Sequence, residues 1–180
     1  MNEPTRYTRT AMALHWLLAL AIIANFALGL YMHELPDSPS KSQLYNWHKW
    51  AGACILGLSA LRLLWRLRHR PPVDAPMPAW QARVARAVHG LLYALFFAVP
   101  LSGWAYSSAA GYPLVVFGVL PLPDFVPADK ALAEAAKGLH KLLTTLLGLF
   151  VIGHVAAALK HHWLDRDGLL SRMLPQRGAH

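Results

Sequence analysis

One cysteine, Cys54, is all the sequence holds. A lone thiol excludes an internal disulfide, an iron–sulfur cluster held by cysteines alone, and the two-cysteine attachment of a c-type haem. No Gly-rich phosphate loop, Ser-His-Asp set or His-Glu-x-x-His pair is present, so the common hydrolase and nucleotide signatures are missing too. Charge is scarce, with 14% of residues charged and nine acidic side chains against 17 Lys and Arg. There is no internal repeat, no low-complexity tract and no linker between soluble domains, and residues 1–180 read as a single membrane domain.

What the chain has is apolar length. Hydrophobic residues make up 56% of it and Trp occurs seven times. Runs of about 20 apolar residues recur at roughly 11–32, 46–66, 85–106 and 138–160. These predict an all-α integral membrane protein, a four-transmembrane-helix bundle. The second run is the weakest, because Arg62 and Arg66 sit in its last turns, where they can snorkel to the interface. The first run has no small-residue cleavage site after it and reads as a retained helix, with the mature chain starting near Met1. Between the third and fourth runs lies a segment, about 107–136, whose apolar patch, 109–123, is broken by Pro113, Pro121 and Pro123. The patch is too short to span, and the segment is expected to be an interfacial or re-entrant cap.

Cations orient the bundle. With four spans, one side carries Arg6, Arg9, Arg62, Arg66, Arg68, Arg70, Arg83, Arg86, Lys160, Arg166, Arg172 and Arg177, and the other carries Lys41, Lys49, Lys130, Lys137 and Lys141. Twelve against five predicts that both termini are cytoplasmic. The net charge of +8 is therefore a topology signal and not a nucleic-acid footprint.

Histidine carries the chemistry. His140 and His154, fourteen residues apart in the last run, lie nearly four helical turns apart on one face, about 21 Å along the axis. Depth then sorts the rest: His48 and His140 form an outer layer, and His15, His89 and His154 an inner one. Neutral imidazoles on facing helices at matched depth are what two-histidine ligation of a haem iron needs. A single histidine of this kind is as readily a hydrogen bond between helices, but four at paired depths are not. Zinc fits poorly, since no Cys or carboxylate joins them and the layers are too far apart for one tetrahedral site. By depth alone, either His15 or His89 can face His154.

The motifs RTAMALHW (Arg9–Trp16), WHKWAG (Trp47–Gly52), VHGLLYALFFAVPLSGW (Val88–Trp104) and HKLLTTLLGLFVIGHVAAALKHHW (His140–Trp163) occur in that order along nearly the whole chain. In this set the protein resembles the bacterial cytochrome b561 family, small four-helix membrane cytochromes with two non-covalent b-type haems inside the bundle. The resemblance implies His48 with His140 as axial ligands of the outer haem iron and His15 with His154 as those of the inner. His89 would then sit beside the inner haem, touching a propionate or a quinone. Gly52, Gly57, Gly148 and Gly153 either admit the flat porphyrin or serve close helix packing.

The resemblance further implies a multi-pass protein of the bacterial inner membrane that oxidises superoxide to oxygen on the periplasmic side and reduces ubiquinone. His161, seven residues after His154, resembles a quinone-site residue able to pass a proton. His162, His180, His33 and His69 are read as interfacial or loop residues. Lys49, Lys137 and Lys141 make the outer mouth positive and are expected to steer the superoxide anion, or else to hold haem propionates or lipid phosphates. The alternative is a cytochrome b subunit that passes electrons from a periplasmic dehydrogenase or hydrogenase partner to quinone, with 107–136 as its docking surface.

Overall fold

The computed structural model describes residues 6–69, 71–72 and 77–174. Four long helices account for most of it: α1 (Arg9–Glu34), α2 (Pro39–Arg68), α3 (Ala79–Ala109) and α4 (Lys130–Lys160). A short antiparallel hairpin, β1 (Leu114–Val116) with β2 (Leu120–Leu122), joins α3 to α4. After α4 the chain continues through a π-helical turn, His161–Asp165, and a 3-10 turn, Leu170–Met173.

Each helix is long and apolar enough to cross a bilayer, with mean hydropathy over the best window of 2.0, 1.3, 1.6 and 2.1 in chain order. α2 is the weakest, as the two arginines in its last turns imply. Large apolar side chains such as Leu17, Leu20, Ile23, Leu149 and Ile152 are exposed. In water that surface would aggregate; against lipid tails it is the expected outer face.

The helices outrun their apolar runs. α2, α3 and α4 begin at Pro39, Ala79 and Lys130, earlier than the runs starting near 46, 85 and 138. Hydropathy marks the hydrocarbon layer, whereas helix ends are set by caps. Ser38 Oγ accepts from Lys41 N at 3.2 Å with Pro39 next in the chain, and Asp129 Oδ1 accepts from Leu132 N at 2.7 Å. These polar first turns extend into the headgroup region.

The connection expected as an interfacial cap is the hairpin. Phe117 and Gly118 have φ of 53° and 73°, the two left-handed residues of a type I′ turn, and Val119 N donates to Val116 O across it. Lys49 Nζ reaches Ser107 Oγ at 3.4 Å and the Pro113 carbonyl at 3.3 Å, tying α2 to this cap. Asp129 N donates to Ala109 O at 3.0 Å, which closes the loop into α4.

At the opposite end the first and last described residues meet. The Arg6 guanidinium donates to the Ser171 and Leu174 carbonyls, and Trp16 Nε1 donates to Met173 O at 2.8 Å. Midway between hairpin end and arginine-rich end, Leu18, Ile22, Ile55, Leu92, Leu95 and Leu147 form the buried core. In lipid such a cluster gains close packing rather than relief from water. α4 packs along α3, and α1 along α2, but the α4 backbone hardly approaches α1 or α2.

Candidate functional site

The wide spacing of α4 from α1 and α2 matters because α4 carries a histidine towards each. Near the hairpin, the rings of His140 on α4 and His48 on α2 have centres 6.3 Å apart and planes at 86°. Near the arginine-rich end, His154 on α4 and His15 on α1 have centres 6.2 Å apart and planes at 67°. Leu147, halfway between the two α4 histidines in sequence, belongs to the core that separates the pairs.

The separation can be tested against a metal between the rings. Two metal–nitrogen bonds of about 2 Å each, plus the distance from each ligating nitrogen to its ring centre, add to roughly 6 Å. Both pairs meet this value. His89 also reaches the inner layer, but its ring centre is 5.4 Å from that of His154, and the residue is exposed where His15 is half-buried. The shorter gap leaves less room for an interposed metal than the 6.2 Å between His15 and His154.

Hydrogen bonds around the outer pair fit the same role. His140 Nδ1 lies 3.0 Å from the Val99 carbonyl and 3.0 Å from Ser102 Oγ. A carbonyl only accepts, so Nδ1 carries the proton and Nε2 keeps its lone pair for a metal, the arrangement by which a ligating imidazole is held. Pro100 stands between them in α3, where its missing N–H interrupts the helical ladder. His48 Nδ1 is buried, with the Asn25 backbone beside it but no hydrogen bond of acceptable geometry.

The glycines split. Gly148 packs against Phe26, where an added Cβ would lie 3.3 Å from the ring, tighter than an ordinary contact, so its missing side chain serves helix packing. At Gly52, one turn after His48, and at Gly57 and Gly153, an added Cβ would meet nothing within 4 Å. The close approaches are instead at Gly103 and Gly29, where a Cβ would come within 3.0 Å of His140 Cε1 and 3.1 Å of His48 Cε1. Taken together, metal-length gaps and separated backbones fit haem. Sequence reading passed over Val99, Ser102, Gly103 and Gly29; the break Pro100-Leu-Ser-Gly inside an apolar run was the available signal.

The three lysines are not equivalent. Lys49 is half-buried and engaged with the hairpin, Lys137 lies 3.8 Å from Glu134, and Lys141 is exposed beside His140. At the other end His161 does not stand alone. Its Nδ1 lies 2.6 Å from Asp167 Oδ2 and 3.0 Å from Asp165 Oδ2, while Lys160 Nζ is 2.6 Å from Asp165 Oδ2. The π-helical turn and the left-handed Arg166, φ 52°, fold the two carboxylates back onto the imidazole. Neither Asp165 nor Asp167 was singled out from sequence. Of the remaining histidines, His33 pairs with exposed Glu34, His69 stacks on Trp65, and His162 lies against Trp163. His180, Arg70 and Arg177 lie outside the described residues.

The chain is similar to known proteins along nearly its whole length. The family model for prokaryotic cytochrome b561 matches residues 6–176. Cytochrome b561 homolog 2 of Escherichia coli K12 is 36% identical over 184 residues, covering 96% of this chain and 93% of that protein. Cytochrome b561 homolog 1 of the same organism is 30% identical over 178 residues, covering 96% and 98%. A protein of Yersinia pestis named probable superoxide oxidase CybB is 30% identical over 174 residues, covering 96% and 97%.

Proposed function

The chain belongs to the prokaryotic cytochrome b561 family, membrane b-type cytochromes, and from that premise we propose that it is a superoxide oxidase of the bacterial inner membrane that reduces ubiquinone. Two superoxide anions each give up one electron and leave as oxygen; the two electrons, with two protons, convert one ubiquinone to ubiquinol. The positive-inside rule puts the hairpin end in the periplasm and the arginine-rich end in the cytoplasm.

Bound haem b supplies the one-electron chemistry, with a potential set by axial ligands and burial. His48 and His140 hold one such group at the hairpin end, and His15 and His154 hold a second at the arginine-rich end. The Val99 carbonyl and Ser102 keep His140 in the tautomer that offers Nε2. Lys141 and Lys137 on the exposed start of α4 attract an anion to the hairpin end, and Lys49 adds its charge while bracing the cap. His161, held by Asp167 and Asp165, faces the quinone and passes it protons. His89 borders the same site.

The observation that carries this reading is one ring separation occurring twice, 6.3 Å and 6.2 Å, at opposite ends of the same helix. The relative named as a probable superoxide oxidase supports the choice of donor. Rapid mixing of superoxide with the purified protein and ubiquinone, followed by haem absorbance and ubiquinol formation, tests it. Haem reduction followed by ubiquinol is expected. Haem that stays oxidised at every salt concentration overturns superoxide as donor, and a co-purifying metalloenzyme that reduces it establishes the partner-fed alternative.

A further inference from the structure

Arg62 and Arg66 converge on one aromatic ring, with no carboxylate between them among the described residues. Their guanidinium carbons stand 5.9 and 5.8 Å from the centre of the Tyr93 ring. Among the described residues no ion pair involves either arginine. Two like charges four residues apart on one helix and gathered around one ring repel, and near a membrane surface they are weakly screened, so an external anion is the natural counter-charge.

The surroundings are built for one. A pocket beside the two arginines is lined by Tyr7, Thr8, Arg62, Trp65, Arg66 and Tyr93. Its walls are tied together: Trp65 Nε1 donates to Thr8 Oγ1 at 3.0 Å, and Arg62 Nη1 donates to the Ala11 carbonyl at 3.2 Å. Thr8 caps α1, whose first turn holds no acidic residue, so the positive end of that helix dipole opens on the same pocket. His69, stacked on Trp65 with ring centres 3.9 Å apart, completes the rim.

We infer that this pocket binds an oxyanion, the phosphate headgroup of an anionic phospholipid in the cytoplasmic leaflet. Location selects the lipid. The pocket lies among α1, α2 and α3 with no α4 residue in its wall, whereas the inner histidine pair bridges α1 and α4. Arg62 is near enough to act electrostatically on both His15 and His154, so a carboxylate of the inner haem competes for it, whereas Arg66 is not among the charges acting on either histidine. The exposed Arg66 and the aromatic Tyr7 and Trp65 sit where headgroups lie, and a basic pocket between helices on this side is the type that holds anionic headgroups. The bound lipid would fasten the N-terminal end of α1 to the last turns of α2, one turn outside His15.

Native mass spectrometry of the haem-loaded protein, delipidated and titrated with dioleoyl phosphatidylglycerol or dioleoyl phosphatidylcholine, tests the site. One phosphatidylglycerol is expected to be retained in preference to phosphatidylcholine. Arg66→Gln and Arg62→Gln should each weaken that retention about fivefold, with Arg66→Lys intermediate and haem absorbance preserved in the Arg66 variants. Displacement by millimolar inorganic phosphate alone would replace the lipid by a free anion and overturn the assignment. So would equal retention of both lipids, or unchanged lipid retention in Arg62→Gln together with a shifted haem potential, which assigns the arginines to haem.

Discussion

The ring of His154 stands 6.2 Å from that of His15, and the separation is repeated at 6.3 Å by His140 and His48. The third inner histidine, His89, approaches His154 to 5.4 Å. Removing one member of a metal-spaced pair should remove one haem, whereas removing a bordering ring should not. His140→Ala and His48→Ala are expected to retain only the inner haem, and His154→Ala and His15→Ala only the outer. His89→Ala is expected to retain both. Haem-to-protein ratio by the pyridine haemochrome spectrum reads all five. A full complement in His15→Ala with a loss in His89→Ala would exchange their roles.

His140 is held from behind as well as paired in front. Ser102→Ala removes one of two groups at its Nδ1, and Gly103→Ala places a methyl within about 3 Å of its Cε1. Orienting partners of this kind are typically worth tenfold to a hundredfold, on the order of 1–3 kcal/mol, in affinity for the ligated group. Both substitutions should therefore weaken outer haem retention and shift its midpoint potential while leaving the inner one unchanged. Redox titration that resolves the two components checks this. A shift confined to the inner component would show that Ser102 acts elsewhere.

Asp167 and His161 should behave as a unit. Asp167→Asn keeps the shape but removes the carboxylate 2.6 Å from Nδ1, so the imidazole loses the nearer of its two carboxylate partners. Haem reduction by superoxide is expected to proceed at the parent rate, with ubiquinol formation slowed by about tenfold or more and its pH profile altered. His161→Ala should slow the same step, and the double variant should add little to either single change. Stopped-flow records at the haem and quinone wavelengths separate the two steps. Equal slowing of both would point to a structural defect at the end of α4.

How much of this was legible in the sequence follows from which forces are local. Apolar runs and histidine depth depend only on composition and helical rise, so the four spans and the two layers could be read directly. The outer hairpin could not, because Pro113, Pro121 and Pro123 signal a broken segment without saying that Phe117 and Gly118 form a turn between paired strands. The true helix starts were hidden for a related reason. Polar first turns such as those from Pro39 and Lys130 are silent in hydropathy, although the caps Ser38 and Asp129 mark them. Val99 could not be found as a partner of His140, since it acts through its carbonyl and its side chain carries no chemistry. Asp165, four residues after His161, was within helical reach and was passed over, whereas Asp167 could not be found because α-helical spacing does not fold it back onto His161; the π-helical turn and the left-handed Arg166 do.

The lysines near the hairpin separate attraction from architecture. Lys141 is exposed and next in the chain to His140, Lys137 is partly offset by Glu134 at 3.8 Å, and Lys49 holds the cap through Ser107 and Pro113. Long-range attraction of a small anion raises its encounter rate and fades as salt screens it, with a Debye length of about 8 Å at physiological ionic strength. Lys141→Gln should thus lower the second-order rate of haem reduction by superoxide several-fold at low salt and flatten its salt dependence, without changing thermal stability. Glu134→Gln should raise the rate by freeing Lys137. Lys49→Gln should lower the unfolding temperature as well, because the hairpin loses its tie to α2. Rates measured between low and high salt, alongside thermal unfolding, sort the three. A Lys141 variant with unchanged rate and slope would leave no steering role for the start of α4.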